Sequence, residues 1–174
     1  MCKPHMEIGG NIMDSRRTDK VNYYLDIADA VLHRSTCLRR RYGAIIVRND
    51  EIISTGYNGA PRGRKNCIDL GFCRREAMNV PPGERYELCR SVHAEQNAII
   101  SASRRDMLGG TLYLVGRQAG GELTDAVPCS MCKRTIINSG IKEVIARNAD
   151  GSFIVTDVNE WIDNDESLPV ECNC

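Results

Sequence analysis

One histidine, one glutamate and two cysteines carry the chemical argument of this chain. His93 and Glu95 lie in Ser91-Val92-His93-Ala94-Glu95-Gln96-Asn97-Ala98-Ile99-Ile100, and the cysteines in Pro128-Cys129-Ser130-Met131-Cys132. An imidazole and two thiolates suit a tetrahedral zinc ion, and three protein ligands leave its fourth position open for water, as catalytic sites do. Zinc lowers the pKa of such a water to roughly 7 and so supplies hydroxide at neutral pH. That hydroxide can attack an amidine carbon such as C4 of a cytosine ring, but ammonia leaves poorly until its nitrogen is protonated. Glu95 can share the pocket without binding the metal, take the water's proton and return it to the departing amine. A closed structural zinc knot would need a fourth side chain, and neither segment offers one.

The elements that must position these four residues are written in the apolar spacing. Thr18 or Asp19 caps a helix whose face is Val21, Tyr24, Leu25, Ala28, Val31 and Leu32, running to about Ser35. Ala44-Ile45-Ile46-Val47 and Ile52-Ile53-Ser54-Thr55-Gly56-Tyr57, joined by Asn49-Asp50, form a β-hairpin. Residues 58–90 have turn residues and cysteines but little periodicity, and an irregular stretch of that length in a compact domain is usually functional or held by something extra. The spacing then predicts a helix over 94–105, a strand over 111–115, a Gly-rich polar loop over 116–127 and a helix over 130–138. Strands at 144–146 and 153–155 and a last helix over 158–164 follow. Both metal segments fall at helix starts, where free amides favour thiolates and developing negative charge. Pro128 suits a helix entry, because its missing donor would go unpaired there anyway. The order implies an α/β sheet with helices on both faces.

The 174 residues are enough for one domain with a sizeable core, read as a unit over 18–164 between tails at 1–17 and 165–174. The 23 basic and 23 acidic residues balance, which speaks against a nucleic-acid partner. The sequence has no apolar run long enough for a membrane span and no apolar core near its start, so the expected location is the cytoplasm. Nine cysteines, an odd number that includes a C-x-x-C, favour metal binding over a disulfide framework.

With the H-x-E and P-C-x-x-C motifs placed, the chain resembles the cytidine/deoxycytidylate deaminase superfamily. Gly43-Ala44-Ile45-Ile46-Val47 through Gly56-Tyr57-Asn58-Gly59-Ala60-Pro61-Arg62-Gly63 is similar to the first hairpin and loop of deoxycytidylate (dCMP) deaminases. The resemblance spans roughly residues 20–147. It implies a three-layer α/β/α fold with a mixed five-stranded sheet, and zinc-dependent hydrolysis of dCMP to dUMP, which feeds the dTMP pathway. His93, Cys129 and Cys132 then match the catalytic zinc ligands and Glu95 the proton shuttle. Asn58 matches an asparagine that holds the sugar, and Ala94 a residue whose backbone borders the base. Arg62 is the arginine taken for the phosphate, with Arg39, Arg40 and Arg41 nearby. Phe153 is the candidate for an aromatic residue that relatives place beside the base.

Some members carry a second, structural zinc, for which Cys37 and Cys67 match and Cys73 and Cys89 are the remaining thiols. The family also implies a homo-oligomer, commonly a hexamer, with dCTP and dTTP as effectors. Cys2, Cys172 and Cys174 have no assigned role. A tRNA adenosine deaminase shares the zinc set but would need a basic RNA-facing surface, and a non-catalytic zinc-binding module would have no use for Glu95.

Overall fold

The computed structural model describes residues 17–81 and 83–165. Most of the two expected tails, and with them Cys2, Cys172 and Cys174, lie outside the described residues.

Helix α1 (Lys20–Leu32) starts where the Asp19 carboxylate accepts from the Asn22 amide at 3.0 Å, and ends with its apolar face rather than at Ser35. Strands β1 (Arg40–Arg48) and β2 (Glu51–Tyr57) form the expected hairpin. Its turn residues Asn49 and Asp50 have φ of 51° and 67°, the left-handed pair that matches strand twist in a two-residue connection. The irregular stretch that follows holds only single turns, α2 (Cys67–Leu70), α3 (Arg74–Ala77) and a 3₁₀ turn at Tyr86–Leu88. The helix expected over 94–105 is two helices, α4 (Ala94–Ile100) and α5 (Arg104–Met107). Ser103 divides them, because its hydroxyl accepts from the Asp106 amide and begins a new helix.

Strand β3 (Thr111–Gln118) runs further than the apolar residues alone indicate. It turns back into the two-residue β4 (Leu123–Thr124), so the stretch read as a polar loop is partly a hairpin. Arg117 explains this, since its guanidinium spans both oxygens of Asp29 on α1 at 2.7 and 2.8 Å. Helix α6 (Ser130–Ser139) stops at Gly140, which adopts φ 79°. Strands β5 (Glu143–Arg147) and β6 (Phe153–Asp157) and helix α7 (Asn159–Asp163) complete the described chain.

The sheet order is β2-β1-β3-β5-β6, five strands as expected, with β4 as a short sixth on β3. Only the β3–β5 pairing is parallel. Alternation along each central strand builds two cores. Ile45, Val47, Tyr113, Val115 and Ile145 pack under Tyr24, Leu25, Ala28 and Leu32 of α1. Ala44, Ile46, Leu112, Leu114, Val144 and Ala146 face Ala94 and Ala98 of α4 and Ile136 of α6 on the other side. Three α/β/α layers result, and α4 and α6 share the layer that must carry the chemistry.

On the α1 side the Tyr24 hydroxyl donates to Asp50 Oδ1 at 2.6 Å, tying the helix to the hairpin turn. That bond to a carboxylate, reinforced by burial, pushes the Tyr24 phenol up to about 12 from 10.0. A raised folded value means this stabilisation is complete below pH 10 and lost as pH rises towards 12. Tyr24→Phe should melt ~2–4 °C lower at pH 8, and the gap to the wild type should close by pH 12, as read by thermal unfolding at both values.

Candidate active site

His93 is the residue before the first turn of α4, and Cys129 the residue before the first turn of α6. The two helices are neighbours, so their starts meet, and Cys132 returns to the same place from one turn into α6. His93 Nδ1 stands 3.5 Å from Cys129 Sγ and 3.3 Å from Cys132 Sγ. A tetrahedral zinc with ordinary Zn–N and Zn–S bonds holds such atoms about 3.6 Å apart. All three ligand atoms lie within 4.8 Å of one another, so the donor set fits the metal in both type and spacing.

Without a metal, the electrostatics favour a thiolate at Cys129 and a thiol at Cys132. Cys129 is held down to about 4, first by the S–H of Cys132, then by His93 and the Cys132 backbone amide. Cys132, the donor in that pair, is pushed up by the same bond and by burial. His93 is raised by its bond to Cys129 against the opposing effect of burial. Bound zinc deprotonates coordinating thiols outright.

Glu95 is 5% exposed and sits in the first turn of α4 beside this set. Burial pushes its carboxyl up, with His93 and its own backbone amide pulling against it. A carboxyl so placed holds its proton more readily than a solvated one, which suits a group that must both take a proton and return it. His93, Glu95, Cys129 and Ala94 line one cavity, which Asn58, Tyr42 and Ser91 also enter. The cavity rim is fixed by a bridge between chain segments. Gly59 and Val92 exchange both backbone hydrogen bonds, at 3.2 and 2.8 Å, joining the loop after β2 to the residue before His93.

Residues 18–148 match the family model described as the cytidine and deoxycytidylate deaminase zinc-binding region. The chain belongs to that deaminase family. Deoxycytidylate deaminase of Mycobacterium phage D29 is 36% identical over 134 residues, covering 74% of this chain and 94% of the phage protein. Deoxycytidylate deaminase of Schizosaccharomyces pombe is 36% identical over 124 residues, 71% of this chain. Against the yeast protein the chain spans only about a third of the relative's length (35%). The crystal structure of dCMP deaminase from cyanophage S-TIM5 superposes with a TM-score of 0.51 in its apo form, at 27% identity, covering 74% of this chain and 82% of that one. The same protein in complex with dCMP and dUMP gives 0.50 over 71% and 76%.

Within this deaminase domain the other expected residues fall unevenly. Ala94 is buried at the cavity wall. Asn58 is 7% exposed, and its side chain is largely committed to the protein. Oδ1 accepts from the Tyr42 amide at 2.8 Å and the Ser35 hydroxyl at 2.6 Å, while Nδ2 donates to the Arg40 carbonyl at 2.9 Å. One Nδ2 hydrogen is left for a ligand. Arg62 is exposed on the loop after β2, and the structure does not bring it to the cavity; Arg39 and Arg40 are the expected arginines that line it. Phe153 is 38% exposed on β6 and is not a lining residue either.

Sequence reasoning missed Tyr86 and Arg75. The Tyr86 ring stands edge-on to the His93 imidazole, centroids 5.3 Å apart and planes at 83°. The Arg75 guanidinium lies over the same ring, 4.7 Å from its centroid. Both come from the irregular stretch, which has no periodicity to mark a buried position.

The four further cysteines surround that stretch. Cys67 is buried, and its thiol is pushed up by burial and then by Cys37, Cys89 and Cys73, so it feels the other three. Cys37, Cys73 and Cys89 also reach the cavity wall. Among the described residues these sulfurs are not gathered within the 4.8 Å that defines the His93 set.

Proposed function

We propose that this chain is a hydrolytic deaminase that converts dCMP to dUMP, supplying dTMP synthesis from the cytoplasm, with residues 18–164 as the deaminase unit. The observation that carries the reading is the His93–Cys129–Cys132 set at zinc spacing with a buried carboxylate, Glu95, in the same cavity. The likeness to the D29 deoxycytidylate deaminase over most of both chains supports the substrate.

Zinc held by His93 Nδ1 and the two sulfurs would supply a water acidic enough to deliver hydroxide at neutral pH. Glu95 takes the proton at its carboxylate and returns it to the amine nitrogen at C4. The cavity wall at Ala94 and Tyr86 keeps the ring against that site and excludes bulk water. Asn58 offers its remaining Nδ2 hydrogen to a sugar hydroxyl.

A second, structural zinc is proposed for Cys37, Cys67, Cys73 and Cys89, on the ground that the Cys67 thiol feels the other three and a shared ion would hold an otherwise irregular stretch. Binding it requires the four sulfurs to draw together. Self-association, hexameric in resembling proteins, is supported by the outer strand β6, whose Phe153, Ile154 and Val155 are exposed. Effector control by dCTP and dTTP rests on the family resemblance. Among the described residues no helix is long and apolar enough to cross a membrane.

One assay tests the reading. The zinc-loaded protein, offered dCMP, CMP, deoxycytidine and dCTP, should remove the cytosine absorbance with dCMP fastest. Turnover of none of them would sink the proposal. Two zinc ions per chain are expected, and one would remove the four-cysteine site.

A further inference from the structure

Arg75 is 6% exposed yet has no carboxylate bonded to it among the described residues. Its Nη2 donates to the carbonyl oxygens of Pro81, at 2.8 Å, and Glu84. Its Nε is buried with no partner. Two carboxylates of the same stretch have other ion-pair partners: Glu87 is paired with Arg85, and Glu76 with Arg39 at 2.9 Å. Taking a guanidinium out of water is unfavourable unless charge and donors are satisfied. This one lines the same cavity as His93 and Glu95, where Arg40 adds a second positive charge.

We propose that Arg75 is the specificity residue for the phosphate of a nucleoside monophosphate, its unpartnered Nε–H donating to a phosphate oxygen while the base stands at the His93–Cys129–Cys132 site. The inference rests on the deaminase reading above and names what selects a nucleotide over a nucleoside. Two features make the residue suited to the task. The carbonyls of Pro81 and Glu84 fix one part of the guanidinium, so little side-chain freedom remains to be lost on binding. The Tyr86 ring contacts both Arg75 and His93, which ties the guanidinium to the metal set within one cavity. A nucleotide has the same layout, a reacting ring carbon and a dianion separated by a sugar. Arginine is the cation whose donors match phosphate oxygens.

The test compares two substrates and two products across three proteins: the zinc-loaded wild type, Arg75→Gln and Arg75→Lys. kcat/KM is measured for dCMP and deoxycytidine, and calorimetry reads binding of dUMP and deoxyuridine. In the wild type dCMP should be the better substrate and dUMP the tighter ligand. Arg75→Gln should lower the dCMP-to-deoxycytidine ratio about 10- to 100-fold and shrink the dUMP preference in parallel, with zinc per chain unchanged. Arg75→Lys, which keeps a cation and a donor to the two carbonyls, should recover part of the ratio. Equal losses on both substrates in both variants would overturn the proposal and leave Arg75 as a clamp on residues 81–84. A wild type that turns over both substrates with no preference for dCMP would overturn it too, while leaving the deaminase chemistry standing. A zinc-loaded wild type that neither turns over dCMP or deoxycytidine nor binds dUMP would instead overturn the deaminase reading, and this inference with it.

Discussion

Glu95→Gln should reduce dCMP turnover by about 10³-fold or more while zinc stays bound and the fold is retained. The amide has the shape of the carboxylate and adds no charge, so the packing around a 5%-exposed side chain is preserved. What it lacks is a proton to give and a lone pair basic enough to take one. Two steps then fail together, activation of the water and protonation of the departing amine. The backbones of His93, Cys129 and Cys132 are placed by the first turns of two helices, and the amide oxygen can still accept the Cys132 hydrogen bond that the carboxylate takes. Steady-state rates with zinc analysis by atomic absorption check the result. Turnover within a few-fold of the wild type would make the chain a zinc-binding module and Glu95 a buried structural carboxyl.

The part of this site that involves bonds to a metal was legible in the sequence, because zinc demands particular atoms and helix starts have local signatures. The hairpin was equally legible, since Asn49-Asp50 between two β-branched runs is a local turn signal. What stayed hidden depends on partners far along the chain. The extension of β3 to Gln118 is paid for by Arg117 meeting Asp29 on α1, a contact between residues that no window of sequence brings together. Arg62 drew attention through its motif, but motif membership does not place a side chain, and the loop leaves it in solvent. Arg75 gave no signal, because its contacts with the Tyr86 ring and the carbonyls of Pro81 and Glu84 form only after the irregular stretch has folded. The break between α4 and α5 at Ser103 was readable as a cap, but the apolar spacing across it outweighed that signal.

The second large effect concerns a residue with no side chain. Gly56→Ala should lower the melting temperature by about 10 °C, from roughly 3 kcal/mol of overpacking, and weaken zinc binding as well. A Cβ at Gly56 would stand 2.2 Å from the Ala94 carbonyl oxygen and 2.3 Å from the Ala98 amide nitrogen. Both atoms are backbone, so no rotamer change relieves the clash, and α4 must move away from β2. That movement breaks the bonds that seat the helix, Ser54 Oγ to the Ala98 carbonyl at 2.8 Å and Asn97 Nδ2 to the Tyr57 carbonyl at 2.7 Å. The residue just before α4 is His93, and Glu95 sits in its first turn. Shifting the helix therefore carries an imidazole and the Glu95 carboxyl away from two sulfurs that stay with α6. Thermal unfolding and a competitive zinc titration read the two consequences separately. Lower stability with unchanged zinc affinity would mean that the α4 start is held by the Gly59–Val92 bridge rather than by the contact with β2.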